Sequence, residues 1–144
     1  MLNRLTQINR RDRMNSVLIV EDDAIIQTLI EYRLKELGYQ VCGKADTADG
    51  AICCARETHP DVILMDIKLK GTVDGIDAAE VIKKTLSPSI IFLSAYADTA
   101  TLERAKKVCP EGFIQKPFND SDLRIALTLA HAGSVPSSSA GQEP

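Results

Sequence analysis

Short apolar runs, each closed by a charged or hydroxyl-bearing residue, set the rhythm of this chain. They are Val17-Leu18-Ile19-Val20 before Glu21 and Asp22, Val62-Ile63-Leu64-Met65 before Asp66, Ile90-Ile91-Phe92-Leu93 before Ser94, and Phe113-Ile114-Gln115 before Lys116. Runs of this length, rich in Val and Ile, read as strands buried on both faces of a parallel sheet. Ser16 to Val20 is the first predicted strand, Asp61 to Met65 the third, Ile90 to Leu93 the fourth and Glu111 to Gln115 the fifth. The second, Tyr39 to Lys44, sets Tyr39, Val41 and Gly43 against Gln40, Cys42 and Lys44, an alternation that suits a less covered edge strand.

Between the strands the pattern changes to helical spacing. Asp23 can cap a first helix whose apolar face is Ile25, Ile26, Leu29, Ile30, Leu34 and Leu37, and Gly38 stands where a helix stop would. Asp46 or Thr47 can open a second helix reaching Thr58. His59-Pro60 closes it, which makes His59 punctuation rather than a ligand. A third helix is predicted from Ile76 to Leu86, followed by a linker at Pro88, and a fourth from the cap Asp98 through Val108, with Glu103, Arg104, Lys106 and Lys107 outward. Asn119 can cap the fifth, where Asp120 and Asp122 suit the positive end of the helix dipole and Leu123, Ile125, Ala126, Leu127, Leu129 and Ala130 supply the apolar face. Five strands alternating with five helices predict a doubly wound parallel α/β fold, flavodoxin-like, (βα)5, with strand order 2-1-3-4-5. The domain is expected over residues 15–132. A flexible leader carrying Arg4, Arg10, Arg11 and Arg13 precedes it over 1–14, and a Ser/Gly/Pro-rich disordered tail follows over 133–144 with no second domain.

Composition narrows the class without choosing a function. At 144 residues the chain fits one domain with a real core, and 44% hydrophobic against 26% charged residues is ordinary for a soluble globular protein. A formal net charge of -3 favours neither nucleic acid nor an anionic membrane as partner. No apolar stretch is long enough to span a bilayer and no secretory signal is visible, so the cytoplasm is the expected location. Cys42, Cys53, Cys54 and Cys109 lack metal-site spacing and are expected to be buried or half-buried free thiols.

The chemistry follows from the strand ends. In an open parallel sheet the ligand crevice lies beyond the carboxyl ends of the strands, and order 2-1-3-4-5 puts strands 1 and 3 side by side, bringing Glu21, Asp22 and Asp66 together. Three acids at one place repel unless a hard cation sits among them. Lys116 would face the anion such a cation attracts. The pattern asks for Mg²⁺ and a phosphoryl group, with Asp66 as a carboxylate nucleophile able to form an acyl phosphate. Ser94 can donate a hydroxyl hydrogen to that group or, alternatively, cap the next helix.

Val20-Glu21-Asp22-Asp23, Leu64-Met65-Asp66-Ile67, Leu93-Ser94-Ala95-Tyr96 and Gln115-Lys116-Pro117-Phe118, in this order and spacing, resemble the receiver domain of two-component response regulators over residues 15 to 131. The resemblance implies that Asp66 accepts a phosphoryl group from a histidine kinase or a histidine phosphotransfer protein. It implies that Glu21, Asp22, Asp66 and the backbone carbonyl of Lys68 hold Mg²⁺. It also implies that Ser94, Lys116 and the switch aromatic Phe113 respond to the new anion, that Lys68 and Tyr96 tune acyl-phosphate lifetime, and that the Lys116-Pro117 bond is cis. Phe113 has an equal alternative as plain core packing. Two departures stand out: Lys70 occupies the place of a proline four residues past the nucleophile, and Gly71 to Gly75 is one residue longer than the commonest loop.

The reading is a stand-alone phosphoacceptor module, not an enzyme acting on an external substrate, that signals through the face of the fourth helix, fifth strand and fifth helix to an unknown protein target. The basic fourth helix and acidic start of the fifth are compatible with a homodimer. A Mg²⁺-dependent phosphatase on a similar sheet is disfavoured because Ile67-Lys68 follows Asp66, with no second acid two residues on. A dinucleotide-binding protein is disfavoured because no Gly-x-Gly-x-x-Gly follows the first strand.

Overall fold

The computed structural model describes residues 15–95 and 98–133. The leader 1–14, Tyr96 and the tail from 134 onward lie outside the described residues. The elements alternate as β1 (Ser16–Val20), α1 (Ala24–Glu36), β2 (Gln40–Ala45), α2 (Ala48–Thr58), β3 (Val62–Asp66), α3 (Gly75–Lys83), β4 (Ser89–Ser94), α4 (Thr99–Lys107), β5 (Gly112–Gln115) and α5 (Asp120–Gly133). All strand pairs are parallel, in the order β2-β1-β3-β4-β5. This is the flavodoxin-like (βα)5 topology expected from the alternation of periods.

Burial explains why the central strands are apolar without interruption. Every residue of β3 and β4 is buried, because helices cover both faces of the sheet. Leu18, Val20, Ile63, Met65, Ile90 and Phe92 pack toward α2, α3 and α4. Val17, Ile19, Leu64, Ile91, Leu93 and Ile114 pack toward α1 and α5. The ladder carries both functional strand ends inside the sheet: Asp66 pairs with Leu93 and Ser94 with Gln115. Each is therefore the last residue of its strand, not the first of the loop.

The edge strand departs from simple alternation. Val17 pairs with Val41 but Leu18 pairs with Gly43, so Cys42 is an extra residue, a bulge. Val41 packs with the α1 layer, whereas Cys42 joins the opposite layer beside Cys54. A side chain added at Gly43 would meet the Cys54 Sγ, which places Gly43 on the same α2 side. The expected grouping of Gly43 with Val41 is thus corrected by a one-residue slip.

Four further expectations change. On α1 only Ile30 and Leu34 are buried, while Ile25 is 81% exposed and Leu29 48%, so the core stripe is narrower than the apolar pattern. On α5 Leu123, Ala126, Leu127 and Ala130 are buried, and Ile125 and Leu129 face out. Cys42 and Cys54 are half-buried as expected, but Cys53 lies on the outer side of α2 and Cys109 in the turn after α4, both exposed. α3 stops at Lys83, short of Leu86, though the Leu86 N–H still bonds to the Ile82 carbonyl.

Caps fix the helix starts. Asp23, Thr47, Asp74 and Asp98 each accept a backbone N–H inside the first turn of the helix they precede. At α5, Asn119 and Asp122 exchange side-chain-to-backbone bonds at 2.8 and 3.1 Å, a reciprocal cap. Asp98 opening α4 relieves Ser94 of that duty. His59 ends α2 with φ 48°, a left-handed turn instead of an extended residue before proline.

Candidate functional site

The carboxyl ends of β1, β3, β4 and β5 converge and deliver five polar side chains. Glu21 and Asp22 follow β1, Asp66 and Ser94 end β3 and β4, and Lys116 follows β5. The Lys116 Nζ donates to Glu21 Oε1 at 2.6 Å and to Asp66 Oδ2 at 2.9 Å, tying the end of β5 to the ends of β1 and β3 across β4. Glu21 Oε2 accepts from the Asp23 N–H at 3.1 Å, and Asp66 Oδ1 from the Lys68 N–H at 3.3 Å. Glu21 and Asp66 are buried, and Asp22 is half-buried. Oxygens of Glu21, Asp22 and Asp66 lie within 4.8 Å of one another. An all-oxygen anionic donor set of this kind suits a hard divalent cation such as Mg²⁺ rather than a thiophilic metal.

Above these carboxylates opens a cavity of about 210 Å³ lined by Asp22, Asp66, Ile67, Lys68, Ser94, Ala95 and Lys116. The small Ala95 side chain beside Ser94 leaves its mouth open. Five of the predicted site residues are thus gathered around one space, and Glu21 stands behind it. Phe113 does not belong to it: it is 41% exposed on β5, with its ring 6.3 Å from that of Phe92. Plain core packing therefore does not describe Phe113. The Lys116-Pro117 bond is cis. Tyr96 is outside the described residues.

Two supports of the site carried no signal in the sequence reading. The Gln27 amide on α1 donates to the Glu21 carbonyl at 3.1 Å and the Ala45 carbonyl at 3.2 Å, fixing the turn after β1 against β2. Gly75 opens α3 directly beneath the nucleophile: a Cβ there would collide with the Asp66 carbonyl oxygen. Only glycine lets α3 approach this closely. Nothing in a single sequence separates Gly75 from an ordinary loop glycine, and Gln27 reads as a solvated helix residue.

Burial, the largest effect, pushes the Glu21 carboxyl from its ordinary 4.5 up to about 7, against the bonds from Lys116 and the Asp23 N–H. Burial also draws the Lys116 ammonium down, but its bonds to Glu21 and Asp66 prevail and hold it above the ordinary value. An acid whose folded pKa is raised adds stability below its unfolded pKa and loses it as pH rises through the folded one. Metal-free protein is therefore expected to lose about 1–2 kcal/mol from this group between pH ~5 and ~8. Chemical denaturation of wild type and Glu21→Gln across that range checks it: the variant should gain on wild type as pH rises, and parallel profiles would refute the assignment.

With this geometry in place, the comparisons decide the family. Residues 17–128 match the response regulator receiver domain. The chain belongs to that family. The receiver is 38% identical over 115 residues to the transcriptional regulatory protein PdtaR of Mycobacterium tuberculosis, covering 79% of this chain and 55% of that protein. It is 35% identical to the chemotaxis protein CheY of Thermotoga maritima, covering 77% of this chain and 92% of CheY. Among solved structures, the signal receiver domain of a modulated diguanylate cyclase from Desulfovibrio desulfuricans aligns with a TM-score of 0.77 at 35% identity, over 82% of this chain and 94% of that one. The chain thus spans about half the length of PdtaR and nearly all of CheY. Receiver domains act in two-component signalling, where histidine kinases phosphorylate them, and they generally bind Mg²⁺. No helix among the described residues is long and apolar enough to cross a membrane.

Proposed function

We propose that this receiver takes a phosphoryl group onto Asp66 from the phosphohistidine of a histidine kinase or a histidine phosphotransfer protein. The phosphorus–nitrogen bond of the donor breaks, a phosphorus–oxygen bond to the Asp66 carboxylate forms, and the imidazole leaves. Glu21, Asp22, Asp66 and the Lys68 carbonyl would hold Mg²⁺, which when bound offsets the repulsion between two anionic reactants and orients the phosphoryl oxygens. Lys116 exchanges its bond to Asp66 for one to a phosphoryl oxygen, and the Ser94 hydroxyl donates to another. Water attack on phosphorus then returns the carboxylate and inorganic phosphate, at a rate that Lys68 and Tyr96 tune. The protein turns over only its own acyl phosphate and acts on no external substrate. A cytoplasmic setting goes with this reading.

The observation that carries the reading is the Lys116 bridge from the end of β5 to Glu21 and Asp66 at the ends of β1 and β3, beside an open cavity. A phosphatase reading lacks its general acid, because Lys68 stands on the cavity wall where the second acid would be needed. Output is assigned to the face of α4, β5 and α5, where Phe113, Ile125 and Leu129 are exposed along a groove of about 540 Å³ between β5 and α5 and Leu102 is exposed on α4. Such a patch is of the kind that receives a protein partner or a second copy. The test is incubation with acetyl phosphate with and without Mg²⁺, followed by intact-mass measurement. One labile, Mg²⁺-dependent phosphoryl adduct is expected. Its absence, together with no spectral response to beryllofluoride and Mg²⁺, would leave an interaction module that works without phosphorylation.

A further inference from the structure

α4 is attached to the sheet through little apolar burial. Of its nine residues only Ala105 is buried, and none of Thr99 to Glu103 is. Its apolar anchoring is therefore slight, and polar clamps from α3 hold the C-terminal half. Lys83 Nζ donates to the Val108 and Cys109 carbonyls at 3.0 and 2.9 Å, closing the end of the helix. Arg104 reaches back to the opposite end of α3: Nη1 donates to Asp74 Oδ2 at 2.9 Å, and Nη2 to Asp74 Oδ1 at 3.3 Å and Asp77 Oδ1 at 3.0 Å.

Asp74 is not an ordinary surface acid. It caps α3 through the Asp77 N–H at 2.9 Å, and the next residue, Gly75, lies against the Asp66 carbonyl and donates its N–H to the Ile67 carbonyl at 2.8 Å. A continuous line of bonds thus runs from the phosphoacceptor through Ile67, Gly75 and Asp74 to Arg104 on α4. It is separate from the route through Ser94 and Phe113. We propose that the Asp74–Arg104–Asp77 clasp holds α4 in its unphosphorylated arrangement, so that Arg104 acts as a positioning residue setting how readily Asp66 is modified.

The inference rests on the receiver reading of Asp66. If the clasp favours the resting arrangement, linkage requires that opening it favours the phosphorylated one by the same factor. A partly exposed pair network supports a modest effect, on the order of threefold. Arg104→Gln should bind beryllofluoride with Mg²⁺ about threefold more tightly than wild type, and its α4 amides should exchange hydrogen faster. Asp74→Asn, which keeps a capping side chain while weakening the ion pair, should do the same. The double variant should add little to either single change, because both remove one interaction. High salt should shrink the gap to wild type.

A merely structural role would leave affinity unchanged or weaken it, so unchanged or weaker binding by both variants overturns the proposal. Additive effects in the double variant, or α4 exchange equal to wild type, overturn it as well. Wild type that binds no beryllofluoride refutes the receiver chemistry instead, and the clasp's role falls with it. Wild type that binds while the variants match it refutes the clasp alone.

Discussion

Asp66→Asn should carry no phosphoryl adduct after treatment with acetyl phosphate and Mg²⁺, a loss of more than about a thousandfold in rate. The amide keeps the shape of the carboxylate but not its charge, and it is a poor nucleophile toward phosphorus. Its single oxygen can keep one of the two bonds that Asp66 accepts here through separate oxygens, from Lys116 and from the Lys68 N–H, and neutralising the side chain removes its repulsion with Glu21. The variant is therefore expected to fold and to melt near wild type, so loss of the adduct cannot be ascribed to loss of structure. Its Mg²⁺ affinity should fall too, because one of three anionic ligands is neutralised. Intact-mass measurement and thermal melts with and without Mg²⁺ check both halves. A full-yield adduct on the Asn variant would move the acceptor to another residue and sink the assignment.

The site was legible in the sequence because its residues are tied to strand ends, and strand ends are where hydropathy changes most sharply. Val20 to Glu21, Met65 to Asp66 and Leu93 to Ser94 each cross from full burial to chemistry in one step. Parallel order then fixed which ends are neighbours. What stayed hidden has no periodic signature. The bulge at Cys42 is a single-residue slip, invisible to a pattern of period two. Arg104 and Asp74 are 30 residues apart on different elements, and each read alone is a solvated charge or a loop acid. Ile25 and Leu29 satisfy the helical apolar pattern yet face outward, since hydropathy records what could be buried and not whether a neighbour covers it. Gly75 needed its backbone partner, the Asp66 carbonyl, before its role could be seen.

Lys116→Met is the second change with a large expected effect, and it acts on stability and on chemistry in separable ways. Lys116 is the cation paired with both Glu21 and Asp66, whose side chains are 1% and 7% exposed. Removing one partner of a buried ionic group costs about 3–5 kcal/mol when the remaining charge stays uncompensated. Here two carboxylates would be left facing each other, so metal-free variant at pH ~8 should melt about 10–20 °C below wild type. Lowering the pH should restore much of this. Glu21 is already raised to about 7 with the lysine present, and without the lowering effect of that bond it should hold its proton at still higher pH. By the same sign rule, the variant's stability is present at acid pH and lost as pH rises through that raised value. Mg²⁺ should rescue the variant more than it stabilises wild type, because the metal replaces the missing positive charge. The chemistry should not be rescued: without an ammonium to hold a phosphoryl oxygen, beryllofluoride affinity should stay at least about tenfold below wild type even in saturating Mg²⁺. Melts across pH with and without Mg²⁺, beside a beryllofluoride titration, separate the two roles. A variant as stable as wild type at pH ~8, with unchanged beryllofluoride binding, would make Lys116 an ordinary surface lysine and remove the bridge on which the proposed function rests.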